Sequence, residues 1–290
     1  MFAKACEKAM KFTHPLVAST RAFDGTLTSS IGTYFFISKD GWAISAAHVF
    51  NSFLKFQYDQ KHLKEAEEMR KKDEAQGTPS HVQMDPKWLT NHSVWFGADQ
   101  IRLSQLHIFG NYDLAAFKLE NIPENFVQEV AVFGNPEDLK VGASLCRLGY
   151  PFIKLVPQFE NNNFRLPADI NKVPPFPNDG IFTRTVLEPR QKGEAPVKYL
   201  ETSSPGLKGQ SGGPIFDVNG VVYAMQVKTA HLDLGFAPSV EEKDMSYSAH
   251  QFLNVGVGLH IDVIEKLLLE KNIPFQTVNK GNDGYTYVIN

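Results

Sequence analysis

The feature that most constrains this chain is a glycine-rich stretch, GLKGQSGGPIFDVNG, which runs from Gly206 to Gly220. It places Ser211 between Gly209 and the pair Gly212 and Gly213. Glycine suits a backbone conformation that a side chain forbids, or a place where another group comes close to the main chain. Most Gly/Ser clusters are flexible turns that lead into a strand. The stretch therefore predicts a loop that either turns tightly or binds a ligand through its amides.

A serine in such a loop is a nucleophile only if the chain also supplies a base and a group that orients the base. In ISAAHVF, His48 lies just past a predicted strand, and Asp113 opens the apolar strand in NYDLAAFKLE. Nine histidines are present, and most of them must be structural or solvated. The order His48, Asp113, Ser211 differs from the orders found in subtilisins and in α/β-hydrolases.

Composition excludes several classes of function. The chain has 290 residues, 42% of them hydrophobic, and a net charge of −3, which predicts a globular protein without a basic surface for nucleic acid. Two cysteines cannot build a disulfide framework, and no apolar run has the length of a secretory leader or a membrane span. We therefore expect a cytoplasmic protein with no membrane partner. No spacing typical of metal ligands is present, so we expect no metal and no cofactor.

The secondary-structure pattern is mostly β. Turn signals at Asp40-Gly41 and Asn219-Gly220 predict two hairpins. Opposite charges four residues apart predict a solvated helix from Asn51 to about Ala75, and the segment DVIEKLLLEKN predicts a second helix near the C-terminus. The Pro- and Asn-rich segment 161–180 is expected to be a surface loop.

The segments SAAHV, YDLAAFKL, VGASLCRLGYP and GQSGGPIF together resemble those of trypsin/chymotrypsin-superfamily serine peptidases. The chain is most similar to the protease domain of bacterial HtrA enzymes, without their PDZ domain, from about Gly32 to about Ile264. The resemblance implies an all-β fold of two antiparallel β-barrels of the chymotrypsin type, with a helical insertion and a C-terminal helix. Residues 1–133 would form the first barrel with the insertion at 51–75, and residues 134–290 the second barrel with the C-terminal helix, together one peptidase domain.

The same resemblance implies a role for each site residue. Ser211 would attack a peptide carbonyl, His48 would act as general base, and Asp113 would orient the imidazole. The backbone around Gly209, Gln210 and Ser211 would form the oxyanion hole. Gly212 and Gly213 would keep bulk away from the substrate and the histidine.

Specificity is less constrained by the sequence. By the family pattern, the floor of the primary pocket is Pro205, and its walls are Gln226, Val227, Lys228, Gly256 and Gly258. None of these residues is acidic, which disfavours cleavage after arginine or lysine and favours small or apolar side chains. Gln210 stands where digestive enzymes of the superfamily have an aspartate, so activation by a newly cut N-terminus is not expected. The helical insertion is either an exposed decoration or a surface for a regulatory protein.

Three functions remain open from the sequence. The first is a bacterial serine endopeptidase that acts through an acyl-enzyme on a restricted set of protein or peptide substrates. The second is a catalytically silent binding scaffold that keeps the fold. The third is an esterase that uses the same triad.

Overall fold

The structure is a computed structural model that describes residues 1–80, 82–167, 170–235, 239–242, 245–248, 252–281 and 284–289. Three helices are present in these ranges: α1 (Ala3–Met10), α2 (Asn51–Ala75) and α3 (Ile261–Leu269). None of them is long and apolar enough to cross a membrane.

The first sheet contains six antiparallel strands from the N-terminal part of the chain. These strands are β1 (Thr13–Ala22), β2 (Leu27–Phe36), β3 (Trp42–Ala46), β4 (Leu89–Trp95), β5 (Arg102–Phe109) and β6 (Leu114–Glu120), and their order across the sheet is β4-β1-β2-β3-β6-β5. The predicted turn between β2 and β3 is confirmed, and Gly41 in it has a φ of +99°. Only a residue without a side chain adopts this conformation readily.

The second sheet closes on itself. It contains β8 (Ser144–Gly149), β11 (Phe176–Glu188), β12 (Val197–Thr202), β13 (Pro214–Phe216), β14 (Val222–Asp233) and β17 (Phe252–His260). Strand β13 pairs with both β8 and β14, which joins the two ends of the order β13-β8-β11-β12-β17-β14 into a six-stranded antiparallel barrel. Closure of this kind leaves no free edge in the barrel.

Shorter strands lie outside this barrel. Strand β7 (Val132–Phe133) runs parallel to β14, and the hairpin of β18 (Gln276–Gly281) and β19 (Gly284–Ile289) continues the sheet beyond β7. Two small hairpins complete the described strands: β9 (Gln158–Glu160) with β10 (Asn163–Arg165), and β15 (Ser239–Glu242) with β16 (Met245–Ser248).

The predicted fold class, helix 51–75 and the hairpin at Asn219-Gly220 are confirmed. The surface-loop prediction for 161–180 is wrong in two places, because β10 forms a hairpin there and Phe176–Gly180 pair with β8. Long-range pairing with β8 supplies the hydrogen bonds that the local Pro/Asn pattern does not predict. Strands of the first sheet end at Glu120 and those of the second begin at Val132; the domain division at residue 133 stays a prediction.

A shared core fixes the two sheets against each other. The largest buried cluster combines residues of β1, β2, β3 and β6 with residues of β8, β12, β14 and β17, and partly buried residues of β4 and β5 pack against it. Helix α1 packs into the same core through Ala5, Cys6 and Ala9, and the Sγ atom of Cys6 lies 3.9 Å from that of Cys146 on β8. Both cysteines are free thiols.

Helix α2 leaves β3 through a short 3-10 turn and packs on β4. Asp59 is buried there, where its carboxylate accepts a hydrogen bond of 2.8 Å from the Leu89 amide and pairs with Lys55. Beyond Ala66 the helix is exposed on nearly all sides. The helix is therefore anchored by its first half, and its second half projects into solvent.

Candidate active site

His48 and Asp113 lie at the ends of two neighbouring strands. His48 is in the 3-10 turn Ala47–Phe50 directly after β3, and Asp113 directly precedes β6. Since Ala46 pairs with Leu114 across β3 and β6, the two side chains meet at the same edge of the sheet. The two residues are far apart in the sequence, and the pairing of β3 with β6 brings them together.

The contact between the two side chains defines the tautomer of the imidazole. His48 Nδ1 lies 2.7 Å from Asp113 Oδ2. An ionised carboxylate only accepts hydrogen bonds, so Nδ1 carries the proton and donates it. The other ring nitrogen, Nε2, is left with its lone pair free to accept a proton from a nucleophile. The side chain of His48 is 41% exposed, which leaves it accessible to a substrate.

Asp113 is itself held by the backbone. Its Oδ1 atom accepts a hydrogen bond of 2.8 Å from the His48 amide, and its carbonyl accepts one of 3.0 Å from the Ala47 amide. Its φ of +52° lies in the left-handed region, which aspartate and asparagine tolerate better than most residues. These contacts fix the carboxylate before a substrate arrives.

The Ser211 loop is attached to the first sheet. The Ser211 carbonyl accepts a hydrogen bond of 2.9 Å from the Thr33 amide, and the Ser45 hydroxyl donates one of 2.7 Å to the Thr33 carbonyl. A Cβ atom on Gly212 would overlap Ser45 Oγ and Thr33 O and lie 2.8 Å from Ala46 N, two residues before His48. The Ser211 loop and the histidine are thus anchored to the same strands.

Gly212 and Gly213 were predicted to keep bulk away from the substrate and the histidine, and the contacts around them show a different role. The space beside Gly212 is filled by β2 and β3, and the space beside Gly213 by the carbonyl of Leu148, so neither glycine keeps room for a substrate. They allow the loop to pack against backbone. In the described part of the chain, no hydrogen bond joins Ser211 Oγ to His48 Nε2, and such contacts commonly shorten when a substrate binds.

The backbone before Ser211 forms a turn. The Gln210 amide donates to the Leu207 carbonyl over 2.9 Å, and Gly209, the third residue of this turn, has a φ of +100°. This is the conformation of a type II turn, which requires glycine at that position. Within the described ranges, the amides of Gly209 and Ser211 donate to no protein acceptor, whereas that of Gln210 is used in the turn.

The Gln210 side chain holds the turn from inside. It is fully buried; its Oε1 accepts a hydrogen bond of 3.1 Å from the Leu207 amide, and its Nε2 donates one of 3.2 Å to the Phe176 carbonyl. A neutral amide therefore occupies the position next to Ser211, and its oxygen and nitrogen are both used in hydrogen bonds there.

The residues expected to form the specificity pocket are distributed over the second barrel. The Pro205 carbonyl accepts a hydrogen bond of 2.8 Å from Asn178, and a Cβ atom on the next residue, Gly206, would overlap Gln226 Nε2. Val227 belongs to the shared core, and Lys228 is half-exposed and paired with Glu188. A Cβ atom on Gly258 would meet the side chains of Ile215 and Ala224 inside the barrel. A role in substrate binding stays a prediction for these residues.

One residue next to these positions was missed by sequence reasoning. Arg147 on β8 is buried, and its guanidinium fills the space beside Gly256. The signal in the sequence was a single arginine inside the apolar strand ASLCRLGYP. Across the described residues, no group of three or more His, Cys, Asp or Glu side chains is arranged to hold a metal ion.

Three comparisons with known proteins give similar results. The family model described as trypsin-like peptidase domain matches residues 32–225. A curated protein of Bacillus subtilis, serine protease Do-like HtrA, is 23% identical over 180 residues that cover 58% of this chain and 36% of that protein. This chain thus spans little more than a third of that relative.

Solved structures resemble the chain over most of its length. The structure of an HtrA-type protease, AlgW with decapeptide, matches this chain with a TM-score of 0.52 and 13% identity. The match covers 97% of this chain and 73% of the AlgW chain. The active form of the Rv3671c protease from M. tuberculosis matches with a TM-score of 0.49 and 15% identity, and the match covers 91% of this chain and 82% of the Rv3671c chain. At this identity, the AlgW likeness supports the fold alone.

Proposed function

The chain belongs to the trypsin-like peptidase family, and from that premise we propose that it is a serine endopeptidase with His48, Asp113 and Ser211 as its catalytic triad. The observation that carries the proposal is the 2.7 Å contact between His48 Nδ1 and Asp113 Oδ2 beside a serine loop anchored to the same strands. A base with a fixed tautomer, an orienting carboxylate and an adjacent hydroxyl are the parts that nucleophilic acyl transfer needs.

In the first half of the reaction, Ser211 Oγ attacks the peptide carbonyl while His48 Nε2 takes its proton. Asp113 stabilises the resulting imidazolium without accepting the proton. The imidazolium then gives the proton to the leaving amine, and an acyl-enzyme remains on Ser211. Water repeats the sequence in the second half, with His48 again as base. A positioned base of this kind contributes roughly 10²- to 10⁴-fold in rate.

The negative oxygen formed in each half needs donors. We assign this role to the amides of Gly209 and Ser211, because the turn Leu207–Gln210 leaves both without a protein acceptor in the described chain. Each such donor is worth about 3 kcal/mol of transition-state stabilisation. The Gln210 amide, which donates to the Leu207 carbonyl, does not take part.

We further propose that the site needs no N-terminal cleavage. A new α-ammonium group would find the neutral, hydrogen-bonded amide of Gln210 next to the nucleophile, and a buried ammonium without a carboxylate is costly. Strand β1 also lies between β4 and β2 in the first sheet, so removing the N-terminal segment would remove a central strand.

A regulatory protein that binds the helical insertion is a further proposal. It is supported by the exposed second half of α2, where the Met69 side chain is exposed, and by Leu54 and Tyr58, which are exposed on the first half. A groove of about 440 Å³ between α2 and β5 adjoins Leu54. Restricted protein substrates, a cytoplasmic location and a bacterial source rest on the sequence reasoning and stay predictions.

A fluorophosphonate probe, which reacts with activated serines, tests the proposal. The wild-type chain should be labelled, and Ser211→Ala should lose labelling and about 10⁴- to 10⁶-fold of peptide turnover. Ser104→Ala is the matched control, because Ser104 is exposed on β5 and its hydroxyl makes one hydrogen bond, of 3.2 Å, to the Lys118 carbonyl.

The three open functions give different results in this assay. A silent scaffold leaves the wild-type chain unlabelled, and equal labelling of Ser211→Ala would exclude Ser211 as the nucleophile. An esterase is labelled and cleaves ester substrates but no member of a peptide library. Cleavage of peptides by the wild type, lost in Ser211→Ala and kept in Ser104→Ala, is the result that we expect.

A further inference from the structure

A charged residue lies inside the second barrel. Arg147 is 1% exposed and is among the largest fully buried side chains. On β8 it lies two residues after Leu145, so both side chains point to the barrel interior, where Leu145 packs with Leu200 and Ile215. An arginine therefore occupies a position at which the strand pattern calls for an apolar residue.

The guanidinium is poorly satisfied there. Its Nη2 donates to the Thr202 hydroxyl, but its Nε and Nη1 atoms have no hydrogen-bond partner, and no carboxylate in the described part of the chain pairs with it. Burial lowers the pKa of Arg147 to about 10, so it stays charged at neutral pH. A buried charge without a partner is strongly destabilising, and an anion that reached the guanidinium would relieve that cost.

The guanidinium lies next to the region that the family pattern gives to the primary specificity pocket. A Cβ atom on Gly256 would overlap both Nη atoms. The Gly256 amide donates to the Ser204 carbonyl over 2.8 Å, and Ser204 directly precedes Pro205. The absence of a side chain at Gly256 is what allows the arginine to reach this place.

Two further polar groups at the same place lack partners. The Ser204 hydroxyl and Gln226 Oε1 are buried and make no hydrogen bond in the described structure. The Nε2 of Gln226 is bound to the Lys228 carbonyl over 2.8 Å, and this contact fixes which way the amide points. The guanidinium and the free hydroxyl of Ser204 are both donors, so together they can bind a carboxylate through several hydrogen bonds. The amide oxygen of Gln226 only accepts and takes no part in that binding.

We propose that Arg147 determines the specificity of this peptidase and that it selects an aspartate or glutamate side chain at P1, the residue whose carbonyl Ser211 attacks. This inference rests on the proposed function. An acidic side chain would supply the missing counter-charge through charge-assisted hydrogen bonds to Nη1 and Nε. A lysine or arginine would be repelled, and an apolar side chain would leave the guanidinium unpaired. This preference replaces the one for small or apolar side chains that was expected because no acidic residue lies at the predicted pocket positions.

The arginine is covered in the free protein, so the segment over it must shift when the substrate enters. That segment, Ser203–Lys208, accepts hydrogen bonds from Asn178 at the Pro205 carbonyl, from Thr229 at the Gly206 carbonyl and from the Gly256 amide at the Ser204 carbonyl. Ser203 also pairs with Ile181 through its amide and its hydroxyl, so several of these contacts must open together. An acidic P1 side chain pairs with the buried guanidinium and a neutral one leaves it unpaired, and this difference in free energy sets the specificity.

The test uses the full chain and fluorogenic peptides that differ only at P1, with Glu, Asp, Gln, Leu or Arg. We expect kcat/KM for Glu or Asp to exceed that for the near-isosteric Gln by about 100-fold or more, because a buried site built for a charged partner rejects the neutral analogue strongly. In Arg147→Leu the order should reverse, with Gln and Leu cleaved faster than Glu. Arg147→Lys should keep a reduced acidic preference.

Arg165→Leu is the matched control. Arg165 is an exposed arginine on β10 whose guanidinium pairs with Glu160, which is equally exposed, so its replacement should leave the P1 preference unchanged. Replacing a buried unpaired charge by an apolar residue of similar volume is often neutral or stabilising, so Arg147→Leu is expected to fold. A measurement on the wild type alone makes the test independent of that variant: product peptides that end in Glu should inhibit at least tenfold more strongly than those that end in Gln.

The outcomes separate this inference from the proposed function. Acidic P1 preference that Arg147→Leu abolishes supports it, as does stronger inhibition by the Glu-ended product. Cleavage of the library without acidic preference, or with one that Arg147→Leu leaves intact, overturns the inference and keeps the peptidase. A wild-type chain that neither reacts with the fluorophosphonate nor cleaves any peptide overturns the proposed function and this inference with it.

Discussion

Asp113→Asn is the change that tests the geometry of the site most directly. Asparagine has the same shape as aspartate and tolerates the left-handed backbone at this position, φ +52°. Its amide oxygen can still accept the 2.8 Å hydrogen bond from the His48 amide, which leaves the amide nitrogen opposite His48 Nδ1. Since that nitrogen only donates, Nδ1 must become the acceptor and the proton must move to Nε2. The histidine is then in the wrong tautomer to act as base.

The size of the effect follows from this argument. A triad with the wrong tautomer but intact geometry loses about 10⁴-fold in kcat, or roughly 5.5 kcal/mol of transition-state stabilisation. Stability should hardly change, because His48 and Asp113 are partly exposed, and ion pairs of this kind contribute about 0–1 kcal/mol. Activity and stability are therefore expected to separate by a wide margin in this variant.

The assay compares the fluorophosphonate labelling rate, peptide kcat/KM and thermal unfolding of the wild type and the variant. Asp99→Asn is the matched control, because Asp99 accepts a 2.9 Å hydrogen bond from Trp95 Nε1 that an amide oxygen can also accept. It should keep wild-type activity. Activity of Asp113→Asn within tenfold of the wild type would refute the role of Asp113, and an equal loss in Asp99→Asn would show that the effect is not local.

Three further predictions concern the loop, the histidine core and the N-terminus. Gly212→Ala should lose activity and about 2 kcal/mol or more of unfolding free energy, because the new Cβ would overlap Ser45 Oγ and Thr33 O at a φ of +85°. Gly110→Ala is the control, because its new Cβ would meet nothing within 4 Å. Equal unfolding free energies of the two variants would contradict the reasoning. Burial lowers the pKa of His14 from 6.5 to about 4, so below about pH 6.5 the unfolded chain takes up a proton that the folded one does not, and His14 should lower the unfolding free energy toward pH 4 by at most about 3 kcal/mol. His92 and His260, whose pKa values burial also lowers to about 4, add to this fall. Denaturant titrations should show a shallower fall in His14→Phe, whose ring can keep the stack on Phe126; an unchanged slope would exclude His14 as its source. The intact chain, its Met1 verified by mass spectrometry, should label with fluorophosphonate without proteolysis, and deletion of residues 1–24 should unfold it because β1 is lost; labelling that requires removal of this segment would make it a pro-segment.

Much of the fold was predictable because its signals are local. Helix α2 was expected from Asn51 to about Ala75 and has these bounds, since charge spacing along a helix depends only on neighbouring residues. The turn residues Gly41 and Gly220 both adopt positive φ, which glycine permits wherever it stands in a chain. The order of His48, Asp113 and Ser211 was sufficient to predict a site, and the variants above test it.

Other features could not be read in this way because they depend on contacts between distant segments. The pairing of Phe176–Gly180 with β8 overrode a local pattern typical of a loop, and the C-terminal tail became a hairpin on β7. Gly212 and Gly213 were predicted to be required, but the groups that require them, Thr33, Ser45 and Leu148, lie on strands far away in the sequence.

The sequence by itself determined the family, the class of fold, the turns and the residue types that catalysis needs, because these are encoded in short motifs and in their order. Only the tertiary structure decided that Nδ1 of His48 faces Asp113, that Gln210 fastens the turn before Ser211, and that Arg147 points into the barrel beside Gly256. The sequence does not show whether the side chain of an arginine in a strand points to solvent or to the interior. Which of the two it does depends on the strands that pair on either side of it and on whether a residue without a side chain faces it.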